Sequence, residues 1–281
     1  MRSFFRKLRS ILPYLFLIPF LIFALFPFFW MLTTSFKTDQ EIYNVNANPF
    51  LIKMGITLKH YTFLLNKTGF NVWFRNSLVI STLATVISIS VSVLAAYSLT
   101  RLRFRGATLL GIGIFITYLI PPTLLFIPLS EVVAFFRLMD SIFALVLTYP
   151  TFAIPFSTWL LMGYFSSIPR AIEEAALVDG ATRWQVLAKV VIPIAIPGIV
   201  TATLFSFTLS WGHMLYGFAF VSSSTQKPLT AGIVAELIRG DVFFWGSLMA
   251  AALLGSIPIV ACYTILTEFY ISGLTKGAVK Y

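Results

Sequence analysis

The chain has 281 residues, 58% of them apolar and 11% charged, with a mean hydropathy of +0.90; a soluble domain carries about 25% charged residues, so water is excluded as the main solvent of this protein. The formal charge of +10 does not point to nucleic acid, because the basic residues cluster beside apolar runs, where they meet anionic headgroups and fix topology. Cys262 is the single cysteine and lies in an apolar run, and His60 and His213 are the only histidines and stand far apart, which excludes an intrachain disulfide or a cysteine-based metal centre.

A transmembrane helix needs about 20 mainly apolar residues. Runs near residues 11–35, 76–99, 109–130, 142–165, 194–222 and 246–267 reach that length. The expectation is an all-α integral membrane protein with six transmembrane helices in one domain over residues 1–281. The first run follows Arg2, Arg6, Lys7 and Arg9; it is too long for the apolar part of a cleaved signal and lacks a small-x-small site at its end, so it reads as a retained span. The loop from Lys37 to Arg75 contains Asn44, Asn46, Asn48 and Pro49 and reads as an extended external excursion with a short helix near His60 to Leu65.

Arg101, Arg103 and Arg105 separate the second and third runs. Proline then recurs: Pro19 and Pro27 in the first span, Pro121, Pro122 and Pro128 in the third, Pro150 and Pro155 in the fourth, Pro258 in the sixth. Each removes a backbone hydrogen bond, leaving a carbonyl that a neighbouring helix or a wet cavity must satisfy; kinks around a pathway and ordinary packing kinks both fit. With six crossings, both termini share a side with the loops at 100–108 and 166–190. That side holds twelve Lys and Arg against eight opposite, which predicts cytoplasmic termini.

The segment 166–193 reads as two helices joined by a turn. Ser167 is placed to cap the first, Pro169 falls in its opening turn, and Arg170 to Val178 are mostly helix formers. Asp179-Gly180 ends that helix, and Thr182-Arg183-Trp184-Gln185 has the spacing of a capping box that starts a second helix running to Pro193. Ala171, Ala175 and Ala176 make the first helix thin enough for close approach by another protein, while Glu173 and Glu174 offer charges to basic groups on it; by composition alone a solvated surface loop with incidental acids is the better fit. After the fifth span, Ser222 to Pro228 is a polar turn, followed by a short helix near Ala231 to Ile238.

Glu174-Ala175-Ala176, then Gly180, then Val190, Ile192 and Pro193 resembles the loop signature of binding-protein-dependent ATP-binding-cassette permeases, Glu-Ala-Ala, three residues, Gly, nine residues, Ile, one residue, Leu-Pro. Val190 and Ile192 replace the signature's Ile and Leu and keep its apolar character. The ending Gly273 to Lys280, with Pro193 and Pro197-Gly198 opening the fifth span, resembles the carbohydrate branch, in particular the smaller maltose-type subunit. Trp211-Gly212-His213 and Thr267-Glu268 depart from residues common in relatives. The resemblance implies a type I importer fold and a coupling contact made by Glu173, Glu174, Ala175, Ala176, Asp179 and Gly180 on a cytoplasmic ATPase. It further implies two copies of that ATPase, a second and larger permease subunit, an extracytoplasmic solute-binding protein reaching the region 218–244, and alternating access in a lipid membrane.

The residues themselves exclude other roles. No Gly-x-x-x-x-Gly-Lys-Ser/Thr loop occurs, so the usual nucleotide cradle is missing and ATP with its Mg is expected on the partner ATPase, with no cofactor on this chain. Glu131, Asp140 and Glu268 lie at span ends and the span centres carry no Asp, Glu, Lys or Arg. That argues against a proton-coupled carrier but leaves a carrier using backbone carbonyls open. A neutral sugar is held by hydroxyls and aromatic faces, which makes Tyr118, Thr123, Tyr149, Ser157, Ser206, Ser210, Trp211 and Met214 the candidate path; a related solute such as a glycerophosphate is the alternative cargo.

Overall fold

The computed structural model describes residues 14–102 and 104–267 with their side chains, and helical backbone continues over 2–13 and 268–278. The side chains of Arg2, Arg6, Lys7, Arg9, Arg103 and Glu268, and those of the ending Gly273 to Lys280, lie outside the described residues. Helices α1 (Arg2–Ser35), α2 (Asp39–Ile42), α3 (Lys59–Lys67) and α4 (Phe70–Arg101) come first. α5 (Ala107–Tyr118), α6 (Pro122–Phe135), α7 (Ile142–Thr148), α8 (Pro150–Ser167), α9 (Arg170–Val178) and α10 (Arg183–Val186) follow. A π turn (Leu187–Val191) leads into α11 (Ile192–Gly212), then α12 (Leu215–Phe220), α13 (Leu229–Leu237), a hairpin of β1 (Ile238–Arg239) with β2 (Val242–Phe243), and α14 (Trp245–Ala278). Among the described residues, five helical stretches are long and apolar enough to cross a membrane, and six if α5 and α6 form one bent span.

The proline-marked interruptions differ in size. The third run is two helices bent by 100°, because the pair Pro121-Pro122 supplies no N–H to carry the helix across the junction. The fourth run passes Tyr149-Pro150 with helical backbone kept at Tyr149, whereas the fifth stops at Gly212, with His213 extended before α12. Side chains brace the breaks: the Tyr216 hydroxyl donates to Pro122 O in the first turn of α6 (3.0 Å), and those of Tyr149 and Thr230 donate to His213 O, left open after α11 (3.1 and 3.2 Å).

The chain forms two compact units, residues 1–70 with 233–257 and residues 71–232 with 258–281. In the first, the loop after α1 is folded rather than extended. Lys37, buried, donates from Nζ to Asn48 O and Pro49 O (3.0 and 2.8 Å), and buried Glu41 accepts the N–H groups of Lys53 and Met54 (2.9 and 3.0 Å). Two opposite charges taken out of water cost little only when hydrogen-bonded, and the loop supplies those bonds. The Lys53 N–H, then the Met54 N–H and the Lys37 and Lys53 charges, hold the Glu41 carboxyl below its ordinary range against the opposing effect of burial. α3 covers the helix expected near His60, whose Nε2 meets Lys37 O at 2.9 Å.

In the second unit α4 is built inside out. Ser77, Ser81, Ala84, Thr85, Ser88, Ser92 and Ala96 are buried while Val79, Leu83, Val86, Ile87, Val91 and Leu94 are exposed, the pattern of a lipid-facing helix that packs through small residues. Ser92 donates to Ile154 O (3.2 Å), tying α4 to α8. At the other end the polar turn before α13 sits on the start of α4: Trp73 donates to Ser224 O (2.8 Å), Asn76 to Thr225 O and Lys227 O (2.9 and 3.0 Å), and Ser77 Oγ accepts from Leu229 N (2.7 Å). Asp140 fastens the same turn, accepting the Ser223 hydroxyl and the N–H groups of Ser223 and Ser222, bonds that hold its carboxyl below the ordinary range.

α8 and α11 cross where Gly198 meets the Tyr164 ring; a Cβ there would lie 2.5 Å from Tyr164 Cγ. Gly198→Ala is therefore expected to cost about 1–3 kcal/mol as an overpacked contact, read as a lower unfolding midpoint in detergent, and Tyr164→Ala in the same chain should recover part of it. For Glu41 the folded carboxyl is the stronger acid, so its stabilisation is present above the unfolded value near 4.3 and is lost as pH falls through the folded one. Glu41→Gln should lower the unfolding midpoint at pH 7, and the gap to the unaltered protein should narrow at and below pH ~4.

Candidate functional site

The elbow between α8 and α11 follows from local rules. α8 ends at Ser167, Ile168 and Pro169 are extended (ψ 126° and 130°), and α9 begins at Arg170. Ser167 does not cap α9: it is the last residue of α8, and its hydroxyl donates back to Tyr164 O (2.7 Å). α9 closes with Gly180 at φ +88°, where Ala181 N reaches Ala176 O (3.0 Å) and Gly180 N reaches Leu177 O (3.1 Å), a glycine C-cap in which a Cβ would be strained. The capping box forms as read, with Gln185 N on Thr182 Oγ1 (3.3 Å) and Thr182 N on Gln185 Oε1 (2.8 Å). The π turn after α10, a form rare outside single-turn bulges at functional places, carries the chain to Pro193.

Burial sorts the elbow into two faces. Glu174, Ala175, Asp179 and Gly180 are exposed and Ala176 is half-buried. Exposed with them are three apolar residues the sequence reading passed over, Ile172 (41%), Val178 (87%) and Trp184 (69%). Their signal was present, since residues 172, 175 and 178 recur every three positions along one helical face. Apolar groups this exposed, ringed by carboxylates, suit a protein partner.

Glu173 corrects the expectation that it faces a partner. It is 4% exposed, and its Oε1 lies 2.7 Å from Arg101 Nε, itself buried at the end of α4. Helical geometry forces the difference: with residues 172, 175 and 178 outward, position 173 points about 100° away, toward the membrane helices. Arg101 also donates from Nη2 to Phe165 O (2.6 Å), which accepts the Ile168 N–H as well (3.1 Å), and to Ile168 O (2.8 Å) at the end of α8. Arg170 donates to Thr100 O (3.2 Å), and a polar cavity of about 510 Å³ opens between Arg101, Leu102, Arg170, Glu173, Glu174, Leu177 and Arg183.

The candidate path residues divide. Tyr149, Ser157, Ser206, Ser210 and Trp211 are buried, whereas Tyr118 (37%), Thr123 and Met214 (43%) are exposed. Among the described residues the hydroxyls of Ser157, Ser206 and Ser210 have no hydrogen-bond partner. Tyr149 packs with Phe152 and Tyr216 around the His213 ring at centroid distances of 5.2, 4.8 and 4.5 Å. Tyr118 stands 5.3 Å from Phe156, which stacks on Phe205 at 3.8 Å, and Phe115 lies 5.1 Å from Trp159. These five rings make a partly exposed aromatic strip on α5, α8 and α11 without an ionised group in it; of them the sequence reading had placed only Tyr118 on the path.

Comparison with known proteins agrees with this geometry. The family model described as "Binding-protein-dependent transport system inner membrane component" matches residues 88–276, more than half of the chain. The chain is 36% identical over 93% of both sequences to the inner membrane ABC transporter permease protein YcjP of Escherichia coli K12. It is 34% identical to the sulfoquinovosyl glycerol transport system permease protein SmoH of Agrobacterium fabrum, over 92% of this chain and 89% of the relative. To the trehalose/maltose transport system permease protein MalG of Thermococcus litoralis the identity is 30%, over 92% of each. A chain from the crystal structure of a bacterial ABC transporter that imports the acidic polysaccharide alginate has the same fold, with a TM-score of 0.77 at 23% identity over 96% of this chain and 98% of that one. With apolar helices enough for several crossings, this chain belongs to the inner membrane components of binding-protein-dependent transport systems and is an ABC transporter permease.

Proposed function

We propose that this permease is the non-catalytic translocation subunit of a carbohydrate importer, coupled through its elbow to a separate ATPase that holds the ATP and Mg. The observation that carries the reading is the exposed knob of Ile172, Ala175, Val178 and Trp184 set between Glu174 and Asp179 and shaped by the left-handed Gly180. It is too small to be an independent module and too apolar for a free surface, and it suits a cleft on a partner. The working assembly is this chain, a second and larger permease, two ATPase copies and an extracytoplasmic binding protein. Both termini and the elbow lie in the cytoplasm, on the side richer in Lys and Arg. ATP does work because ATPase closure binds one orientation of the permease pair better than the other.

Sugar as cargo is supported by relatives whose names specify sulfoquinovosyl glycerol and trehalose or maltose transport. The uncharged aromatic strip through Tyr118, Phe156 and Phe205 supports it as well, because ring faces hold sugar C–H surfaces while hydroxyls take the polar edges. Reconstitution of the chain with its ATPase, second permease and binding protein, followed by nucleotide-dependent uptake of labelled oligosaccharide, tests the reading; uptake by this chain alone without nucleotide would overturn it.

Two outcomes are expected in that system. Trp184→Ala or Val178→Asp should weaken ATPase retention by about tenfold or more, each tenfold being about 1.4 kcal/mol, and Gly180→Val should do the same by straining the left-handed turn by about 1–2 kcal/mol; co-purification and titration of ATPase onto solubilised permease measure both. Tyr118→Ala should reduce sugar uptake while leaving ATPase retention unchanged, as read from initial rates across sugar concentrations.

A further inference from the structure

We infer that Arg101 is a positioning residue that makes the elbow rigid against the second and fourth spans, so that a displacement imposed on α9 is delivered to the membrane helices instead of being absorbed in the linker. The inference rests on the proposed docking of the elbow to an ATPase and names the joint that such docking would load.

The linker is the reason a joint is needed. Ile168 and Pro169 are both extended, and no helical hydrogen bond runs from α8 through them into α9. Pro169 has no N–H to offer. A force on α9 alone would swing it about these two residues. Apolar packing of Ala176, Leu177 and Ile168 on Val93, Ala96 and Tyr97 resists separation, but hydrophobic contact has no direction and permits sliding.

Arg101 supplies the direction. One guanidinium at the end of α4 meets the Glu173 carboxylate in the first turn of α9 at 2.7 Å and donates to Phe165 O and Ile168 O at 2.6 and 2.8 Å. Three elements therefore meet on one planar group: Nε faces the Glu173 carboxylate as an ion pair, and the two hydrogen bonds from Nη2 set the angle of the group against the end of α8. Both charged side chains are about 5% exposed or less. A buried ion pair is no better for stability than apolar residues of the same volume, so stability alone does not account for it. The second tie, Arg170 to Thr100 O, falls on the residue beside Arg101 and braces the same junction.

The test uses the reconstituted importer with ATPase and binding protein, measuring ATPase retention, ATP hydrolysis with loaded binding protein, and solute moved per ATP, all per assembled complex. Arg101→Gln should keep the ATPase bound and hydrolysing while solute per ATP falls by about tenfold or more, within the usual range of coupling factors. Arg101→Lys, which keeps the charge but loses the fork, should fall between. The swap Arg101→Glu with Glu173→Arg should not rescue, because a carboxylate cannot donate to the Phe165 and Ile168 carbonyls. An unchanged ratio of solute to ATP in Arg101→Gln, whatever the yield of complex, overturns the inference while leaving the docking reading standing, and so does rescue by the swap. Failure of the unaltered chain to retain ATPase overturns both.

Discussion

In hydrocarbon a backbone N–H or C=O without a partner costs several kcal/mol, and this chain breaks its apolar helices repeatedly. Where a break leaves a carbonyl without a backbone donor, a polar side chain can supply one, and the chain does this with a small set of residues. Tyr149 and Thr230 close His213, Arg101 closes Ile168 and adds a second donor to Phe165, and Tyr216 braces the first turn of α6 at Pro122. The same residues hold the broken segments at fixed angles, so one requirement of the solvent determines both how the bundle is stapled and where it can bend.

Arg101 and Glu173 show the requirement at its most stringent. A guanidinium and a carboxylate are drawn from water at the edge of the membrane, which is tolerable because the opposite charges lie 2.7 Å apart and Nη2 finds two carbonyls. The result divides the elbow by function: an inner face committed to the bundle and an outer face of Ile172, Val178 and Trp184 free to meet another protein. The neighbouring Glu173 and Glu174, alike in chemistry, differ in role solely through the helical angle between them.

Much of this was legible in the residues. The number and order of apolar runs, the helix near His60, the glycine stop at Gly180 and the capping box at Thr182 all depend on near neighbours, and near neighbours are what a sequence displays. The misreadings came from distant partners. Nothing adjacent to Glu173 indicates that Arg101, on another helix, will claim it, or that Lys37 and Glu41 will gather the loop at 38–54 into a compact form. Proline marked the sites of the breaks but not their size, so the 100° bend between α5 and α6 was hidden. Hydroxyls were equally ambiguous: nothing beside Ser157, Ser206 or Ser210 in the sequence announces that all three are buried, while Thr123 is exposed.

The π turn at Leu187–Val191 separates two orientations that an unbroken α-helix would lock together. Winding at more residues per revolution than the α-helices on either side, it offsets the azimuth of α10 from that of α11. Loss of one residue there would restore regular winding with little rotation of Trp184, because five residues in the wide turn revolve about as far as four in an α-helix; loss of a second, from winding already regular, would rotate Trp184 by roughly 100° about the fifth-span axis. The wide turn is thus slack in the phase of the knob: it absorbs one deletion at 187–191 and not a second.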